Sequence, residues 1–271
     1  MSLRVQTNVE AMSAYRHLNN TTGSLAKSME KLSSGYQINR AADDAAGLAI
    51  SEKLKAQIGG LAQAQKNVGD AVSLIGTAEG SLDQVHAMLQ RVRELAVKYQ
   101  NSTLSTDDKA AITAEVAQLS AEVGRIASET KFNGIALLSG TDAPLTFQIG
   151  ADAGQTISIT VGGLIGTNAN QVDAAVFDFS TSADIDAIDK AIQGVSTRRS
   201  EFGAVQNRLE YSAANAAIYQ ENLSDSLSRI KDVDMANEMV NYTKLQILQQ
   251  AGTSMLAQAN SSSQGVLSLL R

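Results

Sequence analysis

The chain has 271 residues, of which 44% are hydrophobic and only 4% aromatic, so it can bury a sizeable core but favours helix–helix seams over broad globular packing. Its formal net charge of −6 comes from interspersed acidic and basic residues, which leaves no basic face for phosphate backbones and makes nucleic acid a poor partner. Cysteine is absent and Pro144 is the single proline, which excludes disulfides, thiolate metal sites and cysteine nucleophiles and permits two long helical arms.

The N-terminal segment predicts an amphipathic helix from residue 5 to about residue 33. A mostly apolar stripe along one face of this helix is formed by residues at alternating intervals of four and three, and they are Ala11, Tyr15, Leu18, Thr22, Leu25, Met29 and Leu32. Ser33-Ser34-Gly35 ends the helix because glycine adopts the closing conformation. An isolated helix of this kind is marginal in water, so we expect it to need a partner.

A second, longer helix begins near Asp43 and Asp44, whose carboxylates favour the positive end of a helix. The same spacing, with one shortened step, continues at Leu54, Ile58, Leu61, Gln65, Val68, Val72, Ile75, Glu79, Leu82, Val85, Leu89, Val92, Ala96 and Tyr99. A capping pattern at Ser105-Thr106-Asp107-Asp108 then starts a shorter antiparallel helix. That helix carries its stripe at Ile112, Val116, Leu119, Val123 and Ile126.

Near Pro144 the hydrophobic period changes to two, which is typical of strands. Apolar and polar residues alternate over 145–149 and again over 156–161. The pattern predicts a β-hairpin near residues 145–161. Residues 164–180 give no assignment.

The longest regular stripe runs from residue 182 to residue 230. Eleven of its fourteen positions are apolar, and they are Ile185, Ile188, Ile192, Val195, Arg199, Phe202, Gln206, Leu209, Ala213, Ala216, Gln220, Leu223, Leu227 and Ile230. So narrow a stripe predicts a coiled-coil helix. At about 1.5 Å per residue it makes a rod of roughly 70 Å, longer than a compact domain of this size would use.

A last helix is predicted beyond Asp234, and the chain closes on the apolar run 266–270. Apolar residues at the end of a soluble chain are normally covered, and the chain offers no partner for them. We therefore expect both terminal helices to complete their packing against other copies of the same protein. The predicted polymerisation seam consists of Tyr15, Leu18, Leu25, Met29, Leu32, Val240, Ile247, Leu248, Met255 and Leu270.

Six stretches spread along both arms closely resemble bacterial flagellin. They are SSGYQINRAADDAAGLAIS at 33–51, LQRVRELAVKYQN at 89–101, ETKFNG at 129–134, FGAVQNRLE at 202–210, SRIKDVDMA at 228–236 and the ending VLSLLR. The resemblance implies a mainly α fold: a long coiled-coil helical hairpin with a small β-hairpin, and terminal helices that pair in a filament core domain.

The same resemblance implies a division into shells. Residues 1–43 and 232–271 would form an inner core that lines the filament lumen, and residues 44–181 and 182–231 an outer rod. Only about 20 residues separate the hairpin from the returning helix, so no large variable outer domain is expected, and the filament would be thin and comparatively smooth.

Family membership further implies partners and a location. The subunit would be exported unfolded through the flagellar type III pathway and reside in the extracellular filament, which suits a chain whose N-terminus has no signal-peptide pattern and which has no run of 18 apolar residues. An export chaperone would cover the C-terminal helix, a cap protein would sit at the growing tip, and hook-junction proteins would adjoin the base.

Arg91, Leu95 and Glu115 match positions that the innate flagellin receptor of vertebrates contacts in members of the family. Arg91 and Leu95 form an i, i+4 pair on one helix, and Glu115 lies on the antiparallel neighbour. The structural alternative is that this surface packs against adjacent subunits in the filament.

The sequence does not support an enzyme. His17 and His86 are the only histidines, and no H-E-x-x-H stretch or other metal or cofactor pattern is present. Asp43-Asp44 and Asp232/Asp234 are interpreted as solvated helix starts. Two alternatives stay open: a hook–filament junction protein of the same superfamily, and a secreted amphipathic protein that inserts into membranes.

Overall fold

In the computed structural model, residues 8–139, 143–161 and 183–269 are described. The backbone divides into two compact units, one made of Met1–Ala56 with Asn222–Arg271 and the other of Gln57–Glu221. The elements, in chain order, are α1 (Val9–Ser34), α2 (Ala45–Tyr99), α3 (Thr106–Glu129), β1 (Lys131–Phe132), β2 (Ile135–Ala136), β3 (Ala143–Gln148), β4 (Thr156–Val161), α4 (Ala183–Lys231) and α5 (Met235–Leu269). Helices α2 and α4 contribute residues to both units.

The first unit is built on the pairing of α1 with α5. Asn8 caps α1, because its Oδ1 accepts a hydrogen bond from the Ala11 amide over 3.0 Å. The helix ends at Gly35, whose φ of 75° suits glycine and whose amide donates to the Lys31 carbonyl over 2.9 Å. These two caps define the only helix that the N-terminal segment forms within the described residues.

The links that follow α1 and α4 pair with each other in the first unit. Tyr36 and Asp232 form an antiparallel bridge, flanked by hydrogen bonds from the Gln37 amide to the Lys231 carbonyl (2.7 Å) and from the Val233 amide to the Gly35 carbonyl (2.9 Å). The Lys231 ammonium lies 4.9 Å from the centre of the Tyr36 ring. It also lies 3.6 Å from a Glu52 carboxylate oxygen, so one cation ties both links to α2.

The second unit has a continuous hydrophobic core formed by one face of α2 with α3, α4 and the β3–β4 hairpin. The largest fully buried side chains belong to all three helices and to the segment after β2, and they are Ile75, Leu82, Val85, Leu89, Val92, Val116, Val123, Leu137, Ile188, Val195 and Leu209. Ile188, Val195, Phe202 and Leu209 are buried and recur every seven residues, which is the coiled-coil spacing predicted from the sequence.

Strands β3 and β4 pair antiparallel, with Leu145 opposite Ile159 and Phe147 opposite Ile157. Burial alternates along β4, where Ile157 and Ile159 face the core. The turn of this hairpin approaches α2 closely: a Cβ on Gly60 would lie 2.9 Å from the Cβ of Ala151. Glycine at position 60 therefore lets the hairpin seat against the helix.

A mainly α fold with a small β-hairpin and paired terminal helices is therefore confirmed. The rod predicted from residue 182 to residue 230 is α4, and the first helix begins at Val9, whereas residues 5–7 lie outside the described part. Asn133 and Gly134 form the two-residue turn of an additional strand pair, β1 with β2, and their φ angles of 49° and 81° are the positive values that such a hairpin turn requires. The unassigned segment 164–180 lies outside the described residues.

Candidate interaction surfaces

The paired terminal helices expose an unusual number of large apolar side chains. Those exposed on α1 are Val9, Met12, Tyr15 and Met29, and those on α5 are Met235, Met239, Val240, Ile247, Leu248 and Met255. Apolar groups in this concentration indicate a surface that a partner covers, since single exposed apolar residues are ordinary but contiguous patches are not.

The structure separates the predicted polymerisation seam into two sets. Leu18, Leu25 and Leu32 are half-buried in the first unit, and Leu18 packs opposite Gly252, where a Cβ would lie 3.3 Å from its Cδ1. Six others remain exposed, namely Tyr15, Met29, Val240, Ile247, Leu248 and Met255. Leu270 lies outside the described residues. Leu18 therefore packs within the α1–α5 pair of the chain itself, Leu25 and Leu32 are partly covered within the same chain, and the exposed set is what another molecule could contact.

A groove of about 870 Å³ runs between α1 and α5. Apolar walls come from Ala14, Leu18, Leu248 and Met255, and the polar side chains of His17, Gln258 and others line the rest. Asn8 closes one end of the helix pair by donating from its Nδ2 to the Ala259 carbonyl over 2.9 Å. The groove has the mixed lining of a protein–protein contact more than that of an enzyme site.

Helix α5 is nearly uncharged. Glu238 and Lys244 are the charged residues in its 35-residue sequence, and none follows Lys244 within the helix. Apolar residues are distributed around the helix without one dominant face, since Val240, Ile247 and Leu248 are exposed although α5 already packs on α1. A helix that is apolar on more than one side is normally buried on more than one side.

On the second unit, Arg91 of α2 bridges to α3. Its Nε donates to Glu115 Oε1 over 3.0 Å, and its Nη1 donates to Glu94 Oε2 over 3.2 Å. The hydrogen bond that Arg91 donates to Glu115 is the main reason that the pKa of Arg91 is raised, and the bond that it donates to Glu94 contributes next. Leu95 is buried beneath this pair, so Arg91, Leu95 and Glu115 come together around a groove of about 310 Å³.

The two histidines belong to different units. His17 is exposed on α1 in the first unit, and His86 is half-buried on α2 in the second, with its Nε2 3.0 Å from Gln90 Nε2. Among the described residues, no group of three histidine or carboxylate side chains is placed to hold a metal ion.

The acidic pairs have structural partners. Asp43 accepts from the Arg40 amide (3.1 Å), which is the main reason that the pKa of Asp43 is lowered, and it pairs with Lys27. Asp44 caps α2 through its bond from the Gly47 amide (3.0 Å), and Asp234 caps α5 in the same way. These carboxylates start and brace helices, as the sequence suggested.

Sequence reasoning missed the contacts between the two interhelix links and the bond from Asn8 to Ala259. Neither contact has a periodic signal in the sequence: Tyr36 and Asp232 are 196 positions apart and meet through backbone pairing, and Asn8 and Ala259 are 251 positions apart. Over the described ranges, no helix is both long and apolar enough to cross a membrane.

These surfaces indicate the class of protein to which the chain belongs. A helical chain with a complete hydrophobic core in one unit, and with exposed apolar side chains on its two terminal helices, is typical of a structural protein that assembles into a polymer.

The comparisons with known proteins give the family. Residues 5–143 match the bacterial flagellin N-terminal helical region and residues 185–270 match the bacterial flagellin C-terminal helical region. The chain belongs to the bacterial flagellin family. It is a structural subunit of the flagellar filament and not an enzyme, and the family polymerises with itself into filaments.

Relatives match almost end to end. The chain is 48% identical over 271 residues to a flagellin of Halalkalibacterium halodurans, covering 98% of this chain and 99% of the relative. It is 44% identical over 306 residues to a flagellin of Bacillus subtilis, covering 99% and 100%. A solved structure from Vibrio parahaemolyticus, described as that of a flagellar hook-associated protein, shares the fold with a TM-score of 0.59 and 16% identity, covering 70% of this chain and all of that one.

Proposed function

We propose that the exposed apolar faces of α1 and α5 form the contacts that build the filament, with residues 1–43 and 232–271 as an inner core lining the lumen and residues 44–231 as the outer rod. The observation that carries this proposal is the exposure of Tyr15, Val240, Ile247 and Met255 on a helix pair that is already formed within one subunit. Burying one such side chain contributes about 1.5–3 kcal/mol, so a few of them per contact suffice for a stable polymer.

The helices of the first unit also suit export in an unfolded state. With its apolar faces uncovered, the α1–α5 pair gains little from burial in the free subunit and unfolds more readily than the second unit. We infer that the chain travels through the flagellar type III pathway to the extracellular filament, and that an export chaperone covers the apolar faces of α5 beforehand. Val240, Ile247 and Leu248 are the residues such a chaperone would contact.

A head-to-tail polymer leaves an unsatisfied contact surface at each of its ends. A cap protein at the growing tip and hook-junction proteins at the base would occupy those surfaces. The hook–filament junction role that the sequence left open is disfavoured, because the chain matches flagellins almost end to end, whereas the hook-associated structure, at 16% identity, shares only the fold. A junction protein would stop after a short ring, whereas a filament subunit elongates without limit.

For the surface around Arg91, Leu95 and Glu115 we propose recognition of the free subunit by the vertebrate innate flagellin receptor. The support is the exposed Arg91–Glu115 pair, which offers a charged, geometrically fixed feature beside a groove. A receptor would have to engage a guanidinium that already has two carboxylate partners. The competing role, contact with a neighbouring subunit, predicts that the assembled filament hides the surface from the receptor.

Seeded elongation tests the proposal on the filament contacts. Purified subunit is added to short filament fragments, and length is followed by electron microscopy, for the native chain and for Ile247→Ser and Ile247→Leu. The native chain and Ile247→Leu are expected to elongate the seeds, and Ile247→Ser is expected to raise the subunit concentration needed for growth. Equal growth of all three would show that Ile247 of α5 takes no part in the filament contact. Growth that stops at a short ring would favour the junction protein.

A further inference from the structure

The methionines of this chain are distributed unevenly. Seven are present, and five of them are 47–64% exposed on the two terminal helices. These five, called the seam methionines below, are Met12, Met29, Met235, Met239 and Met255. Met88 of α2 is partly buried and packs against the core of the second unit.

We propose that the seam methionines form an oxidation-sensitive site that controls assembly: oxygen transfer from a peroxide to their sulfur atoms in the free subunit blocks its incorporation into the filament. This inference rests on the proposed polymerisation role of α1 and α5 and names a regulation of that same surface. The reactant is a small two-electron oxidant, of which hydrogen peroxide is the simplest example.

The chemistry is balanced without any group from the protein. A sulfur lone pair attacks one peroxide oxygen, the O–O bond breaks and an S–O bond forms. Methionine is oxidised by two electrons to the sulfoxide, and the peroxide is reduced to water. Susceptibility follows exposure of the sulfur, so the free subunit reacts at its terminal helices before it reacts at Met88.

The consequence follows from polarity. A thioether is a flexible apolar group that packs well in irregular contacts, whereas a sulfoxide carries a strong hydrogen-bond acceptor. Met255 lines the α1–α5 groove together with the apolar Leu18 and Leu248 and the polar His17 and Gln258, and against the leucines a sulfoxide oxygen finds no donor. Burying an unpaired polar oxygen there opposes the contact.

The position of the seam methionines makes the effect state-dependent. While the subunit is free they are accessible, and once a neighbouring subunit covers them they are shielded. Oxidation therefore removes free subunits from the pool and spares those already assembled. Because methionine sulfoxide is reducible by dedicated reductases, the block is reversible.

The experiment treats native full-length subunit and assembled filaments with hydrogen peroxide and maps sulfoxides by peptide mass spectrometry. The subunit is then offered to filament seeds, and the lowest concentration that supports elongation is measured. In the free subunit, the seam methionines are expected to oxidise faster than Met88, and in the filament, more slowly than in the free subunit. The oxidised subunit is expected to need a concentration about tenfold higher, since one buried unpaired acceptor weakens a contact by about that factor. Treatment with methionine sulfoxide reductases should restore growth.

A variant with all five seam methionines replaced by leucine keeps side-chain volume and should elongate with or without peroxide treatment, while Met88→Leu should stay as sensitive as the native chain. If native, untreated subunit fails to elongate seeds, the proposed contact surface itself is wrong. If it elongates and fully oxidised subunit elongates equally well, the contact surface stands and the oxidation-sensitive site is refuted. Equal oxidation rates in subunit and filament, or undiminished peroxide sensitivity of the five-leucine variant, would also refute it.

Discussion

The side chain of Asn8 joins the two ends of the chain: its Nδ2 donates to the carbonyl of Ala259 over 2.9 Å while its Oδ1 accepts from the amide of Ala11 over 3.0 Å. One residue thus caps α1 and fixes its start against α5, 251 positions away. Because the donor and the acceptor of a side-chain amide are different atoms, the two roles can be separated by substitution.

Replacing Asn8 by alanine removes both bonds and should destabilise the start of α1 by about 1 kcal/mol, as the loss of an N-cap does. Asn8→Asp keeps the acceptor that caps the helix and removes the donor to Ala259. Amide hydrogen exchange at residues 9–13 should therefore accelerate strongly in Asn8→Ala and only moderately in Asn8→Asp. Identical exchange in the two variants would mean that the bond to Ala259 holds the helix start and the cap does not.

Two adjacent glycines of α2 should differ in their response to the same substitution. A Cβ at position 60 would lie 2.9 Å from the Cβ and 3.2 Å from the Cα of Ala151, whereas a Cβ at position 59 meets open space. Gly59→Ala should raise the free energy of unfolding by about 1 kcal/mol through helix propensity. Gly60→Ala gains the same propensity but displaces the turn of the β3–β4 hairpin, so its free energy of unfolding should fall below that of Gly59→Ala. Urea unfolding measures both, and equal stability of the two variants would show that the hairpin does not seat on Gly60.

The start of α3 should contribute a pH-dependent term to stability. Ser105 donates to the carboxylate of Asp108 from its Oγ (2.8 Å) and from its amide (3.1 Å), and the side-chain bond is the larger reason that the pKa of Asp108 is lowered. The fold therefore favours the ionised carboxylate. This stabilisation is complete above the pKa of an unfolded aspartate, about 3.9, and is lost as the pH falls through the lower pKa of the folded state.

Asp108→Asn cannot titrate, and its amide oxygen can still accept from the Ser105 backbone. The urea concentration at the midpoint of unfolding should consequently fall less between about pH 6 and about pH 3 for Asp108→Asn than for the native chain. Ser105→Ala should also reduce the pH dependence, because it removes the main donor to the carboxylate. An unchanged pH dependence in both variants would rule out a contribution from this capping box.

Periodicity predicted the helices and the hairpin because burial against a single stripe sets the spacing. Ile188, Val195 and Leu209 are fully buried as that spacing requires. The spacing of a stripe does not show which partner covers it. Leu18 and Leu25 are half-buried within the chain, whereas Tyr15 and Met29, which belong to the same predicted stripe, are exposed. The pairing of Tyr36 with Asp232 and the approach of Ala151 to Gly60 depend on backbone atoms far apart in sequence, and side-chain patterns carry no signal for such contacts. The sequence predicted that Arg91 and Glu115 lie on neighbouring helices, but it did not predict the hydrogen bond between them.

Amide hydrogen exchange on the free subunit and on the assembled filament, compared residue by residue, tests the central claim that the terminal helices finish their packing only in the polymer. Amides of residues 9–34 and 235–262 are expected to exchange at least about tenfold faster in the free subunit than in the filament, whereas those around Leu82 and Val85 should be protected in both. Full and equal protection of the terminal helices in the free subunit and in the filament would contradict the account.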